Sequence, residues 1–326
     1  MKPGWARGKA PAPFIFKARG RSSVKRAGLR KTLNRDKYLL LMILPAFLVF
    51  LVFSYAPMFG TVMAFQNFNP GKGFLHSPWV GLKWFKQFVN GIYFPRLMRN
   101  TLLLSLYGIV FGTPATLLFT LLLNEIRSNR FKRVVQTVTY LPYFISTVII
   151  VSILKMILAY PSGIVNQALA AMGLETQNFF QDQTKFRAIY IVSNIWQNLG
   201  WNSILYLAAL TSINPELYEA AYMDGASRLQ QMWHVSIPGM VNTIITVLIL
   251  DMGKLFSIGY EKIYLMYNPL TYETADVIST YVYRSGLVDM KYSFASAIGV
   301  FNAVINLAVL LLANALSRKY AQISLW

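Results

Sequence analysis

The chain has 326 residues, of which 55% are hydrophobic and only 13% are charged, and its formal net charge is +19. A soluble globular protein carries about 25% charged residues, so most of this surface is expected to face lipid. The absence of cysteine excludes disulfide frameworks, thiol nucleophiles and cysteine-based metal sites. The two histidines, His76 and His234, lie far apart in sequence, which argues against a histidine-centred metal site.

Residues 1–37 are a basic segment with twelve Lys or Arg and one acid, Asp36. Their mixture of basic residues with Pro, Gly and Ala shows little periodicity, which predicts a largely disordered tail. The charged region is too long for a cleavable signal peptide, and the apolar block behind it is long enough to span a membrane. Anionic membrane lipid is the expected partner of the tail, and nucleic acid is not, because no aromatic-basic interleaving accompanies the charge.

Six stretches reach the length of about 20 apolar residues that a membrane-spanning helix needs. They cover residues 38–59, 101–123, 134–158, 188–210, 235–260 and 293–316. Pro142 and Pro238 predict kinks, because neighbouring helices satisfy the freed carbonyls. The sequence therefore predicts an all-α membrane protein, with a six-helix transmembrane domain at 38–316 and a short tail at 317–326.

Basic residues set the predicted orientation, because Lys and Arg concentrate on the cytoplasmic side of a membrane. Nineteen fall in the N-terminal tail, the connection 124–133, the segment 212–238 and the C-terminal tail, against ten in the other connections and two within spans. Both termini and the segment 212–238 are thus predicted to be cytoplasmic.

The first outer connection, residues 60–100, runs against this rule. It contains Lys72, Lys83, Lys86, Arg96 and Arg99 and no acid. Snorkelling of these side chains at the membrane interface is one explanation. A basic vestibule that attracts an anionic substrate or an acidic docking face is the other.

The fourth predicted span carries an unusual run of polar and aromatic side chains. Asn194, Gln197 and Trp201 recur at helical spacing, and Asn198 lies among them. Amides and an indole on one face are how proteins bind sugars, by hydrogen bonding and aromatic stacking. The same side chains also serve as polar contacts between membrane helices, so both interpretations stay open.

Two charges lie inside the fifth predicted span. Asp251 and Lys254 are at helical spacing, which predicts a pair on one face that either joins helices or contacts substrate. Asn302 and Asn306 on the last span are weaker candidates of the same kind.

Between the fourth and fifth spans lies a polar segment, residues 212–238, with its own local signals. Asn214 and Pro215 are a helix-start signature, which predicts a short helix over residues 215–224. Gly225 is the expected stop, because glycine enters the left-handed conformation without steric cost. Ala226 and Ser227 then restart a second helix at an angle, and Pro238 marks a kink at the next span. The segment is predicted to be a helix, a glycine bend and a second helix.

This segment resembles the EAA loop of ABC-importer permeases, with the pattern E-A-A-x3-G-x9-I-x-L-P. Here Glu219, Ala220 and Ala221 are followed by Asp224 and Gly225, and the tail Val-Ser-Ile-Pro ends at Pro238. The resemblance implies the type I ABC-importer permease fold. It also implies a coupling role for these residues: Glu219 makes polar contacts, the two alanines permit close packing and Gly225 supplies the bend.

The residues 140–146 and 194–201 further resemble the carbohydrate-uptake permeases, in the branch that handles oligo- and polysaccharides. That resemblance implies an importer of an acidic saccharide such as alginate, located in the bacterial inner membrane. It also implies several partners: a second permease subunit, two copies of an ABC ATPase, and an extracytoplasmic substrate-binding protein.

No catalytic residues are apparent, and the chain is not expected to be an enzyme. The nearest approach to a phosphate loop, residues 4–9, has the wrong spacing and lacks the Ser or Thr that contacts magnesium. ATP and Mg²⁺ are therefore expected to be bound by partner ATPase subunits, and no cofactor by this chain. The alternatives are an ion-coupled secondary transporter or channel that uses Asp251 and Lys254, and a nonenzymatic scaffold.

Overall fold

A computed structural model describes residues 36–325. The predicted basic tail therefore lies outside the described residues apart from its last two positions. The helices of the first half are α1 (Lys37–Phe50), α2 (Gly73–His76), α3 (Lys83–Val89), α4 (Phe94–Glu125), α5 (Asn129–Phe144), α6 (Thr147–Ile157) and α7 (Ile164–Ala171). Those of the second half are α8 (Phe186–Thr211), α9 (Pro215–Met223), α10 (Arg228–Gln231), α11 (Ile237–Met252), α12 (Tyr260–Met266), α13 (Tyr272–Ala275), α14 (Ile278–Tyr283) and α15 (Tyr292–Ala321).

Shorter helical turns extend several of these elements. Leu51–Tyr55, Met232–Ser236 and Arg284–Val288 are π-helical, whereas Ala56–Phe65 and Pro269–Thr271 are 3₁₀-helical. Across residues 36–325 there is no β-strand, only an isolated antiparallel bridge between Gln66 and Trp79. The predicted all-α class is confirmed.

Four helical stretches are long and apolar enough to cross a membrane within the described part of the chain. They are Lys37–Phe65, Phe94–Glu125, Arg228–Met252 and Tyr292–Ala321, and they coincide with four of the six predicted spans. A broken pair, α5 and α6, raises the number to five if it counts as one span. The count of six remains a prediction.

The third predicted span is two helices, not one kinked helix. α5 and α6 meet at an angle of 101°. The backbone is extended at Ile145 and Ser146, and Ser146 caps α6 by accepting a hydrogen bond from the amide of Ile149. A proline kink was expected here because of Pro142, but this cap starts a new helix in a new direction.

The fourth and fifth predicted spans also differ from expectation. α8 has 26 residues, yet it is not among the apolar helices, because amide and serine side chains interrupt its hydrophobic sequence. The fifth helix ends at Met252, eight residues before the predicted boundary at 260. The chain then turns through Gly253 and continues without a helix until Tyr260.

The described part of the chain divides into two compact units, residues 36–59 and residues 60–325. In the second unit, α4 and α8 pack together and share an apolar core that includes Leu104, Ile191 and Ile263. α5 crosses α8 at Gly200, where a Cβ atom would lie 2.3 Å from the carbonyl oxygen of Thr139. Only glycine permits this close approach, which positions α5 against the polar part of α8.

Candidate functional site

The segment 212–238, called here the coupling segment, folds as its local sequence predicts. The side chain of Asn214 caps α9 by accepting a hydrogen bond of 3.1 Å from the amide of Glu216. α9 ends at Met223, and Gly225 has a φ of +79°, in the left-handed region. Ser227 and Gln230 then form a capping box at the start of α10. The predicted helix, glycine bend and second helix are confirmed as geometry.

Most of the predicted coupling residues lie on the surface. Glu219, Ala220, Asp224, Gly225 and Pro238 are exposed, and Ala221 is half-buried. Large apolar side chains of the same segment are exposed as well: Leu217, Tyr222, Met223, Leu229 and Trp233. Several large exposed apolar side chains in one segment are typical of a surface that binds another protein.

One polar contact lies within the coupling segment and another attaches it to the rest of the second unit. The hydroxyls of Tyr218 and Ser236 lie 2.9 Å apart, which joins α9 to the turn before α11. Arg228 forms an ion pair of 3.1 Å with Glu125, the last residue of α4. Neither Glu125 nor Tyr218 stood out in the sequence, since such partners become visible only once distant segments are placed together.

A cavity of about 550 Å³ lies among α4, α8 and α11. Four of the six predicted path residues line it: Asn194 and Asn198 from α8, with Asp251 and Lys254 from the end of the fifth predicted span. The side chain of Asn198 donates to the backbone and side-chain oxygens of Asn194, at 2.8 and 3.1 Å. The structure thus brings amides and two charged groups to one polar cavity.

The other two predicted path residues have different surroundings. Gln197 accepts a hydrogen bond of 3.1 Å from the ammonium of Lys262. Trp201 stacks on Tyr143 of α5, with ring centroids 4.4 Å apart and planes 2° from parallel. The single face that was expected to hold Asn194, Gln197 and Trp201 is therefore divided among three environments. Asn194, Gln197 and Trp201 nevertheless all belong to α8.

The predicted alignment of Asp251 and Lys254 on one helix face is wrong. α11 ends at Met252, so Lys254 lies in the turn that follows. The ion pairs formed by residues 36–325 do not include one between these two side chains. Gly253 and the change of chain direction separate groups that an uninterrupted helix would have aligned.

Of the two asparagines predicted on the last span, Asn306 has a packing role. Asn306 accepts a hydrogen bond from the amide of Phe256 at 2.9 Å and donates to the hydroxyl of Ser257 at 2.8 Å. It thereby satisfies the backbone where the chain leaves α11. The side-chain oxygen of Asn302 is buried without a hydrogen-bond partner.

Part of the basic outer connection is neutralised by acids from another loop. Arg96 and Arg284 form ion pairs with Asp276 at 3.3 and 2.8 Å, and the Asp276 side chain is fully buried. Arg99 pairs with Glu273 at 2.7 Å. The hydrogen bonds and charge of Asp276 raise the pKa of Arg284 despite its partial burial. Asp276 lies 180 positions after Arg96, and Glu273 lies 174 positions after Arg99. The sequence alone therefore did not indicate these two pairs.

The described residues contain no group of three or more His, Cys, Asp or Glu side chains that could hold a metal ion. A polar cavity among long apolar helices and an exposed, amphipathic coupling segment define the class of this chain. It is a helical membrane transport protein.

The chain matches the family "Binding-protein-dependent transport system inner membrane component" over residues 108–322. It is 42% identical over 322 residues to the polygalacturonan/rhamnogalacturonan transport system permease protein YteP of Bacillus subtilis (strain 168), and this alignment covers 99% of each chain. It is also 40% identical over 314 residues to protein LplB of the same organism, covering 96% of this chain and 97% of LplB.

Two solved structures are also similar to this chain. A crystal structure of a bacterial ABC transporter involved in the import of the acidic polysaccharide alginate contains a chain that is 43% identical, with a TM-score of 0.83, covering 90% of this chain and 99% of that one. A second, of a bacterial alginate ABC transporter in complex with alginate pentasaccharide-bound periplasmic protein, gives 42% identity and the same TM-score, covering 91% and 99%.

This chain belongs to the family of inner-membrane permease components of binding-protein-dependent transport systems. It has the type I ABC-importer permease fold and is a multi-pass protein of the inner membrane. It is a transport component rather than an enzyme.

Proposed function

We propose that this chain is the transmembrane permease subunit of an ATP-driven importer that takes up an acidic oligo- or polysaccharide. The observation that carries the proposal is the coupling segment. Its helix, glycine bend and second helix present exposed apolar side chains around Glu219 and Gly225. A partner with an apolar groove would cover this surface, and a separate ABC ATPase that binds ATP and Mg²⁺ is the partner that fits the family.

The proposed topology has six spans, with the broken pair α5–α6 as the third and α8 as the fourth. Both termini and the coupling segment face the cytoplasm, where the ATPase is located. The distribution of Lys and Arg supports this orientation. The domain division is proposed accordingly: a basic tail at 1–37, the transmembrane domain at 38–316 and a short tail at 317–326.

The proposed substrate path combines the polar cavity with the stacked rings of Trp201 and Tyr143. Asn194 and Asn198 offer amides for sugar hydroxyls, and stacked aromatic faces suit the apolar faces of pyranose rings. Asp251 and Lys254 belong to the same path. A second, different permease subunit is proposed to complete this path.

The acidic nature of the substrate is proposed from two relatives. YteP is named for the transport of polygalacturonan and rhamnogalacturonan, and the structural relative imports alginate. The second structural relative is in complex with a periplasmic protein that carries alginate pentasaccharide, so an extracytoplasmic binding protein is proposed as a partner here too.

The proposed mechanism is alternating access. Closure of two ATPase subunits on ATP moves the coupling segment, which transmits the movement through the Arg228–Glu125 ion pair to α4 and through the contact of Tyr218 with Ser236 to α11. Both helices line the cavity, so their rotation opens it toward the outside. Hydrolysis of ATP resets the position of the segment.

Reconstitution into liposomes tests the proposal. The chain is combined with a second permease, the ATPase and a binding protein, and uptake of a labelled oligogalacturonate or oligoalginate is measured. Uptake that requires ATP and every component is expected. Uptake by the lone chain, driven by an ion gradient, would instead support the ion-coupled secondary transporter or channel, which the unpaired Asp251 and Lys254 in the cavity favour as the second candidate.

A further inference from the structure

One positive charge of the protein is buried without a carboxylate partner. Lys262 lies on α12 and is 7% exposed. None of the ion pairs formed among residues 36–325 includes it. Its ammonium donates a hydrogen bond of 3.1 Å to the amide oxygen of Gln197 and lies 5.8 Å from the ring centroid of Tyr190.

This arrangement differs from that of the other buried charge on the outer connections. The Asp276 carboxylate, fully buried, has two guanidinium partners. Lys262 has only an amide oxygen and a ring face, which do not neutralise an ammonium. Burial accordingly lowers the pKa of Lys262 to about 8. A glutamine or methionine would fill this position without the penalty of an unpaired charge, so packing alone does not account for a lysine.

The position of Lys262 connects it to the proposed substrate path. Tyr190, the ring beside its ammonium, lines the cavity, as does Gly259, three residues before Lys262. Gln197, its hydrogen-bond partner, is on α8 between the cavity-lining Asn194 and Asn198. The ammonium therefore lies at the cavity wall, behind residues that face the interior.

The charges that line the cavity itself cancel. Asp251 and Lys254 contribute one negative and one positive charge. Lys262 behind the wall leaves an excess positive charge at this part of the molecule. An excess cation in a low-dielectric site attracts an anionic group on the ligand.

We propose that Lys262 is the counter-charge for the carboxylate of a uronic acid unit that occupies the cavity, an inference that rests on the proposed function. Gln197 holds the ammonium while the cavity is empty. When an acidic saccharide enters, a small movement of the Lys262 side chain past Tyr190 exchanges the amide oxygen for the carboxylate. The neutral hydroxyls of the sugar remain with the asparagines of α8.

The test compares an acidic substrate with its uncharged methyl ester. The complete transporter is reconstituted in liposomes, and uptake of an oligogalacturonate is measured beside uptake of its fully methyl-esterified form. Loss of a hydrogen bond to a charged group should reduce uptake of the acidic form about tenfold or more in Lys262→Met, with less than about twofold change for the ester. Because both substrates are measured on the same sample, the ratio does not depend on folding yield.

Two further variants complete the design. Lys262→Gln keeps a donor for Gln197 but no charge, so it should lose the same discrimination as Lys262→Met. Lys319→Met removes one positive charge from an exposed position in the C-terminal tail, outside the proposed substrate path, and should leave the ratio unchanged.

Three results would overturn the inference. Equal reduction of both substrates in the Lys262 variants would assign the lysine a structural role. Unchanged uptake of the acidic form would remove the lysine from recognition altogether. A wild-type transporter that imports neither form would overturn the proposed acidic-saccharide function and this inference with it, and that result is separate from the first two because it appears before any substitution is made.

Discussion

Gly225 of the coupling segment offers a substitution whose effect can be calculated from the backbone alone. Its φ is +79°, and a Cβ atom built there would meet no atom within 4 Å. Gly225→Ala therefore introduces no clash, and its cost is that of placing an L-residue in the left-handed region, about 1–2 kcal/mol. That reduces the population of this bend about five- to thirtyfold. Gly225→Val should have a larger effect because its β-carbon is branched.

The measurement is the ratio of saccharide imported to ATP hydrolysed by the reconstituted transporter. If the bend aligns α9 and α10 for the ATPase, the alanine variant should import less saccharide per ATP, and the valine variant less still. Gly225→Asn should retain more of the wild-type ratio, because asparagine tolerates the left-handed conformation.

Gly173 is a matched control outside the coupling segment. It follows α7, has a φ of +74° and also meets no atom within 4 Å of its added Cβ. Gly173→Ala imposes the same backbone cost, so it should lower stability by a similar amount and leave import per ATP unchanged. Wild-type coupling in Gly225→Val, or equal loss of coupling in Gly173→Ala, would refute the assigned role of the bend.

Three further predictions concern packing, charge and recognition. Gly200→Ala places a Cβ atom 2.3 Å from a backbone oxygen of α5 and should lower the free energy of unfolding by about 1–3 kcal/mol or more. The loss should appear as a lower unfolding temperature in detergent, and wild-type stability would contradict the close crossing of α5 and α8. Asp276→Ala leaves two guanidinium groups without their shared buried carboxylate and should lower the free energy of unfolding by about 3–5 kcal/mol. Asp289→Ala removes an exposed ion pair with Lys291 and should lower it by less than about 1 kcal/mol in the same measurement. Trp201→Ala removes the stack on Tyr143 and should lower saccharide affinity about tenfold, while Trp201→Phe should lose less affinity; wild-type affinity in Trp201→Ala would remove the indole from the path.

The coupling segment was predictable because its signals are local. Asn214, Pro215, Gly225 and Ser227 act on the backbone within three or four residues of themselves, through capping hydrogen bonds and allowed φ values. Such signals do not depend on what packs nearby. The structure accordingly reproduces the predicted helix, bend and second helix.

The interruptions of the spans were less predictable. Pro142 indicated a kink, yet the 101° bend depends on the capping of α6 by Ser146 and the close approach of α5 to Gly200. In the fifth span, the helix ends at Met252, and Asn306 of the last span accepts a hydrogen bond from the backbone amide of Phe256 in the segment that follows. In each case a partner from elsewhere supports the break, and hydrophobicity along one segment carries no information about that partner.

The sequence by itself determined the class of this protein, its apolar segments and the shape of its coupling segment, since composition, periodicity and capping act locally. Tertiary structure alone decided which polar side chains share the cavity, that Asp251 and Lys254 do not pair, and that Asp276 has guanidinium partners while Lys262 has no carboxylate. The reason is that the energy of a charge in a membrane protein depends on groups that chain folding brings within a few ångströms, whatever their separation in sequence.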